Sequence, residues 1–464
     1  MATEHRLTPN DAMFLYGESD ETMMHVATLM RFARPEGADA NMLRDLIEEV
    51  YTVRKLDPPW NMQLKHPGFL RHPAPSWVEV DEVDVEYHVR RSGLPSPGGE
   101  RELGVLVSRL HGLRVDFARP PWETHLIEGL EGGQFGLYTK LHHSLVDGFT
   151  GSKMLAASFS RTPEERTPLF FNQPRPGGQR PPREPTSPWR QAWEAIKTQV
   201  NAAGEVAGTV RELAESLVAG DPQLTGGIVA PKSILNGRIG RNRRFATQQF
   251  DLAHLKRISK ASGGTLNDLV LALCAGGLRR FLLELGALPD RPLVAMLPVA
   301  VRAKDDPGGG NAVGAILATL ATHIQDPWAR LEAIISSTRR AKERLGKLSR
   351  PAMIQLSALT MAPTGVQAIT GRLGRSAPQF NVCISNVPGP SEQLYFRGAS
   401  LEAVYPVSVP VHGLALNITC YSYNGTLNFG FTGCRDTLPH MQRLAVYTGE
   451  ALRDLETALE PGVG

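Results

Sequence analysis

Residues 161–188 read RTPEERTPLFFNQPRPGGQRPPREPTSP, a stretch dense in proline, arginine and glycine and poor in aliphatic side chains. Proline fixes φ and removes backbone donors, so the segment suits neither a helix interior nor a central strand and reads as an extended linker. It divides a chain of 464 residues that is already too long for one ordinary core. Behind it lies SPWRQAWEAIKTQVNAAGEVAGTVRELAESLVAG, where Ser187 suits an N-cap and Pro188 the first helical position. Trp189, Trp193, Ile196 and Val200 then recur along one helical face. The predicted division is therefore 1–160, a linker and helical connector over 161–234, and 235–464.

Each part mixes the two periodicities. NMLRDLIEEVYTV and RELGVLVSRLHGLRV carry helical spacing, whereas WETHLIEG and QFGLYTKLHH alternate as strands do. In the last part GTLNDLVLALCAGGLRRFLLELG reads as a long helix starting near Thr265. PLVAMLPVAV, NAVGAILATLATH, QFNVCISNV, GLALNITCYSY and TLNFGFTG read as strands, and DPWARLEAIISSTRRAKERLG and LPHMQRLAVYTGEALRDLETALE as helices. Strands interspersed with helices predict an α/β chain of two sandwiches. No strand-GxGxxG-helix fingerprint, P-loop or GxSxG elbow is present, so dinucleotide and serine-hydrolase chemistry lose their main support.

Composition narrows the function classes. With 42% hydrophobic and 21% charged residues the chain is an ordinary globular one, and a net charge of +3 without a long basic run gives no case for nucleic acid. Cys274, Cys383, Cys420 and Cys434 form no CxxC pair, which suits reduced thiols rather than a disulfide framework or a zinc site. The first residues carry acids and lack the apolar core of a signal peptide, and no stretch reaches about 18 apolar residues. The expectation is a cytoplasmic protein, at most peripheral at an inner membrane or lipid droplet.

LHHSLVDGFTG, residues 141–151, carries the chemistry. Strand alternation puts Phe135, Leu137, Thr139, Leu141 and His143 on one face and Tyr138, Lys140 and His142 on the other. The two rings therefore do not serve one site in the same way. Three readings compete: Asp147 as a plain helix N-cap, a metal site, or a general base at a strand end. Adjacent strand histidines diverge and no His/Cys cluster completes a shell, so no metal is expected. An imidazole titrating near about 6.5 is suited to take a proton from an alcohol and return it.

HHSLVDG is the HHxxxDG signature of the CoA-dependent acyltransferase superfamily, to which chloramphenicol acetyltransferase and peptide-synthetase condensation domains belong. LTPNDAMFLYGESDETMMHVATLMRF, RPPWETHLIEGL, GTLNDLVLALCAGGLRRFL, LPVAVRAKDDPGGGNAVG, NVCISNVPGP and YPVSVPVHGLALNITCYSYNGTLNFGF complete the pattern. Their order, over nearly the whole chain, resembles the bacterial bifunctional wax ester synthase/acyl-CoA:diacylglycerol acyltransferases. PPW stands where that family more often has PLW, and an additional glycine precedes GGN.

The resemblance implies two chloramphenicol-acetyltransferase-like sandwich domains with the active site in a tunnel at their interface. It implies acyl transfer from a long-chain acyl-CoA to a long-chain alcohol or diacylglycerol, with no covalent acyl-enzyme. Acyl-CoA is a substrate and no cofactor is implied. His143 matches the superfamily's base, His142 an orienting residue, and Asp147 a structural support, with Gly148 beside it and Arg302 as its candidate partner. Asn267 is an oxyanion-donor candidate or a plain cap, and Asp268 is its structural neighbour. Ser385 and Asn386 are channel candidates before a turn at Pro388, Gly389 and Pro390, while Trp122 reads as core. Arg238, Arg241, Arg243 and Arg244 are candidate contacts for CoA phosphates or a solvated face. The connector stripe touches lipid or packs between the domains. Rival readings are a condensation-type or polyketide-associated acyltransferase, for which no carrier-like serine motif is seen, and a non-catalytic lipid-droplet protein.

Overall fold

The computed structural model describes residues 4–7, 9–39, 41–68, 75–146, 151, 154, 157–172, 230–300, 313–346 and 348–459. Asp147, Gly148, Arg302 and the connector stripe of Trp189, Trp193, Ile196 and Val200 lie outside them.

Two six-stranded sheets dominate. The first runs β12 (Tyr395–Phe396), β13 (Ala399–Val407), β2 (His25–Ala33), β7 (Phe135–His142), β6 (Trp122–Glu128) and β5 (Val89–Gly93). Its neighbours are antiparallel except β5 and β6, which are parallel. A three-stranded sheet of β1 (Glu4–Arg6), β4 (Ser76–Glu79) and β3 (Met62–Leu64) lies beside it in the chain's first part. The helices there are α1 (Pro9–Tyr16), α2 (Met42–Tyr51), α3 (Val85–His88) and α4 (Glu100–His111). α2 buries Leu43, Leu46, Ile47 and Val50, and α4 buries Leu103, Leu106, Val107 and Leu110, the one-sided stripe that the helical spacing predicts.

The second sheet runs β10 (Val313–Thr319), β9 (Val294–Ala300), β11 (Val382–Pro388), β14 (Leu416–Tyr423), β15 (Thr426–Cys434) and β8 (Arg243–Asp251). β11 is parallel to both its neighbours. Its helices are α5 (Leu252–Ala261), α6 (Leu266–Glu284), α7 (Pro327–Gly346), α8 (Arg350–Ile369) and α9 (Arg443–Leu459). α6 starts on a capping box between Thr265 and Asp268 and is buried from Asp268 through Leu278, so it is apolar on all sides and central to its layer. Two mixed sheets covered by helices are the α/β sandwich arrangement predicted.

Sheet membership does not follow the division at residue 235. β12 and β13 come from the last part of the chain yet extend the first sheet, with Val407 opposite Ala27 and Ser400 opposite Ala33. Nor is the whole proline-rich stretch a solvated linker: Leu169, Phe170 and Phe171 are buried in the first core beside Trp60 and Trp122. Three consecutive large apolar side chains outweigh the surrounding prolines there. The two sheets are joined closely. α4 packs on β8, where the Phe245 amide donates to Ser108 Oγ at 2.8 Å. A Cβ at Gly430 of β15 would come within 1.8 Å of the Pro406 carbonyl of β13, so only glycine allows that approach.

Candidate active site

β7 lies between β2 and β6, with His142 opposite His25 and Leu141 opposite Trp122. The alternation holds along it. Phe135, Leu137 and Leu141 enter the core containing Trp60, Trp122 and Phe171, while Tyr138 joins the α4 side. Lys140 points the same way as Tyr138 and is fully buried, its ammonium donating to the Leu110 and Leu113 carbonyls at 3.1 and 2.8 Å. Glu123 Oε2 lies 3.3 Å from that ammonium. Burial works to raise the Glu123 carboxyl, but His125 beside it and the Lys140 charge prevail and bring it down to about 2.

The strand ends at His142, and the flanking segments hold the pair's backbone. The His142 amide donates to the Pro121 carbonyl and the His143 amide to the Met24 carbonyl, both at 2.9 Å. Pro121 in the PPW segment thus has a direct part in placing the pair.

The two rings have different surroundings. His142 is fully buried; its Nδ1 lies 2.6 Å from Ser144 Oγ, its Nε2 lies 3.4 Å from Glu18 Oε2, and Phe117 meets it edge-on. Burial lowers its pKa, so it is neutral at physiological pH. His143 follows in the turn and is half-buried, its ring stacked on Phe14 of α1 with centroids 4.0 Å apart. Of the two, only His143 has access to solvent. The difference in surroundings expected from alternation is present, but it arises because the strand has ended, not because the two histidines continue to alternate.

The residue that sequence reasoning missed is Glu18. Its carboxylate is buried and accepts from the Met24 amide at 2.6 Å and from Arg114 Nε at 3.1 Å, besides facing His142. It lies within the quoted FLYGESDETMMHV stretch, but nothing in its local spacing pairs it with a histidine so distant in the chain.

The remaining candidates disperse. Asn267 stands half-buried at the second position of α6, and Asp268 is a structural neighbour, its carboxylate taking the Thr265 amide at 2.8 Å and the Thr338 hydroxyl at 2.6 Å. Ser385 and Asn386 are half-buried on β11 opposite Thr419 and Cys420. Pro388 is not in a turn: it closes β11 opposite Ser422, the strand-end position a proline tolerates. Trp122 is core, its indole donating to the Trp60 carbonyl at 2.8 Å.

The arginine cluster does not form one cationic face. Arg243 is buried, donating at 2.6 Å to the carbonyls of both Gly240 and Glu21, and burial lowers its pKa to about 10. It is therefore a structural clamp and not a phosphate contact, because both carbonyls already hold its guanidinium. Arg238 is exposed and turned to Glu21 and His412, Arg241 is exposed, and Arg244 is half-buried. The four cysteines are buried free thiols; burial pushes Cys383 up to about 12 and Cys274 and Cys420 upward as well, so these three stay protonated.

With the geometry in place, comparison with known proteins gives the family. Residues 7–270 match the wax ester synthase/diacylglycerol acyltransferase catalytic domain, and residues 309–456 match the C-terminal domain of the same family. The chain belongs to the wax ester synthase/diacylglycerol acyltransferase family. A Mycobacterium tuberculosis relative named as a diacylglycerol O-acyltransferase is 50% identical over 492 residues, covering 98% of each chain. The solved wax ester synthase/diacylglycerol acyltransferase from Marinobacter aquaeolei VT8 is 37% identical, with a TM-score of 0.77 over 98% of this chain and 99% of that one. The first condensation domain of the calcium-dependent antibiotic synthetase, 16% identical with a TM-score of 0.58 over 98% and 95% of the two chains, shares the fold alone. Among the described residues no helix is long and apolar enough to cross a membrane.

Proposed function

We propose that the protein transfers a long-chain acyl group from acyl-CoA to a long-chain alcohol or a diacylglycerol, with His143 as general base. The observation that carries this reading is the contrast at the end of β7: His142 is sealed and neutral, while His143 is partly open and braced by Phe14 and the Met24 carbonyl. An imidazole nitrogen of His143 takes the hydroxyl proton as the acceptor oxygen bonds to the thioester carbonyl carbon. The tetrahedral intermediate then collapses, the C–S bond breaks, and the imidazolium returns its proton to the departing CoA thiolate. Ester and free CoA are the products, and no acyl-enzyme is required, because the thioester is already activated.

Asp147 keeps the supporting role that the family resemblance implies, with Arg302 as its candidate partner and Gly148 next to it in sequence. Asn267 is the oxyanion-donor candidate, and Ser385 and Asn386 border the acyl channel. Arg244 and Arg241 remain as contacts for the CoA phosphates. The Trp189 and Trp193 stripe supplies peripheral contact with a membrane or lipid droplet, which liposome flotation of a variant lacking both rings tests.

The deciding experiment follows free CoA thiol from a long-chain acyl-CoA, first with a fatty alcohol and then with a diacylglycerol. His143→Ala is expected to lose about 10²- to 10⁴-fold in turnover with either acceptor. Near-normal turnover by that variant sinks the base assignment, and absence of acceptor-dependent release by the wild type sinks the reaction itself.

A further inference from the structure

The acidic loop of residues 18–21, ESDE, is held from both parts of the chain. Arg114 of the first part donates Nε to Glu18 Oε1 at 3.1 Å and Nη1 to Asp20 Oδ1 at 2.8 Å. From the last part Arg243 donates to the Glu21 carbonyl at 2.6 Å, and Arg238 Nη2 and His412 Nε2 lie 3.3 and 3.1 Å from Glu21 Oε2. The arginines that sequence reasoning offered to a phosphate thus partly face an internal acidic loop.

That loop ends on the histidine pair. Nδ1 of His142 faces the Ser144 amide at 3.3 Å as well as the Ser144 hydroxyl at 2.6 Å. A backbone amide only donates, so Nδ1 is the acceptor and Nε2 carries the proton. Glu18 Oε2 lies 3.4 Å from that nitrogen, close enough for the carboxylate charge to favour the Nε2–H form although the two make no well-aligned hydrogen bond. The same carboxylate oxygen takes the Met24 amide at 2.6 Å, and the Met24 carbonyl in turn takes the His143 amide at 2.9 Å. The His142 carbonyl accepts from the Leu145 amide at 3.0 Å, so holding His142 also shapes the turn that presents His143. Glu18 therefore meets one histidine through its side chain and the other through a single intervening residue. A carboxylate with no exposed surface persists only where such partners compensate it.

We infer that Glu18 is the positioning residue of the histidine pair: it sets the His142 tautomer and the seat of His143, and Arg243 anchors its loop from the other part of the chain. Glu18 touches no reacting atom, so it acts through His142 and Met24. The inference rests on His143 being the base, since only then does the seat of that ring govern the rate. Misplacing a base by a fraction of an ångström lowers turnover without weakening substrate binding, so the signature is a loss in kcat at constant KM.

The test uses the full chain with Glu18→Ala, Glu18→Gln and, as a control on loop charge, the exposed-rim variant Asp20→Asn. Steady-state CoA release is paired with nitrogen-15 histidine spectra in which a His142→Gln variant assigns the His142 ring. Glu18→Ala is expected to lower kcat about 100-fold and Glu18→Gln about 10-fold, with KM within about 3-fold and Asp20→Asn within about 2-fold. The wild-type His142 ring should show the neutral Nε2–H tautomer, which Glu18→Ala turns into a mixture and Glu18→Gln largely keeps. A Glu18→Ala kcat within about 3-fold of wild type, a loss appearing in KM, an equal loss in Asp20→Asn, or an Nδ1–H tautomer in the wild type overturns the proposal. Where Glu18→Ala fails to fold by circular dichroism, a folded Glu18→Gln with wild-type kcat and an unchanged His142 ring overturns it alone. Retained activity in His143→Ala would remove the base reading, while the His142 tautomer would still decide what Glu18 positions.

Discussion

The two sheets bury different chemistry. Beneath the first lie Glu18, His25, His88, His111, Glu123, His125, Lys140 and His142, all buried and ionisable. Around the second the buried ionisable groups among the described residues, thiols and tyrosines aside, are Arg243, Asp268 and Arg330; the core there is mainly Leu, Ile, Ala and Phe with Cys274, Cys420 and Cys434 among them. Each buried polar group costs stability unless paired, so the first sheet keeps them where they constrain geometry, and the second is the apolar support on which β8 and β15 meet it. The histidine pair ends a strand of the polar sheet, and its bracing loop is anchored by an arginine of the apolar one.

Substitutions on either side test this contrast. The largest effect on activity is the loss predicted for His143→Ala, which should leave the thermal midpoint within a few degrees. Lys140→Ala leaves Glu123 and two carbonyls without their cation and is expected to cost about 3–5 kcal/mol of stability. Urea unfolding measures it; a cost near zero would mean that the polar sheet tolerates apolar replacement as freely as the other. Leu273→Ala, in the fully buried centre of α6, should cost about 2–5 kcal/mol while kcat of the folded fraction stays at the wild-type value. A drop in kcat at equal folded fraction would show that the apolar support also tunes the site.

Acidification gives the most diagnostic effect. Burial lowers the pKa of His88 to about 4 and of His111 to about 3, and also lowers His25 and His142. Unfolded histidine titrates near about 6.5, so between these values the unfolded chain binds more protons than the folded one. Stability is complete above that value and declines as pH falls toward 4. Urea midpoints measured from pH 7.5 to 5, above the carboxylate range, should fall, and a flat profile would remove the buried-neutral assignment.

Much of the fold was legible locally. The helical stripes of α2 and α4, the long apolar α6 with Thr265 at its start, and the alternation of β6 and β7 all appear at the predicted places. β1 to β5, β8, β12, β13, α1, α3, α5 and α8 went unassigned; Pro351 and Pro363 obscure the helical pattern of α8, which still forms over Arg350–Ile369. The site divides in the same way. That two adjacent histidines at a strand end have different surroundings was expected from the chain's period of two, but the structure produces the difference by ending the strand at His142.

What the chain determined by itself is what short-range patterning encodes: two mixed α/β parts, a histidine pair at the end of a strand, and an apolar helix behind the second sheet. The tertiary structure alone decided that β12 and β13 complete the first sheet and that Leu169–Phe171 belong to its core. It alone set Arg243 on Glu21 and Glu18 beside His142. Those pairings join residues far apart in sequence. They depend on strand register and on the path of the connections, and neither leaves a periodic trace for the residues themselves to reveal.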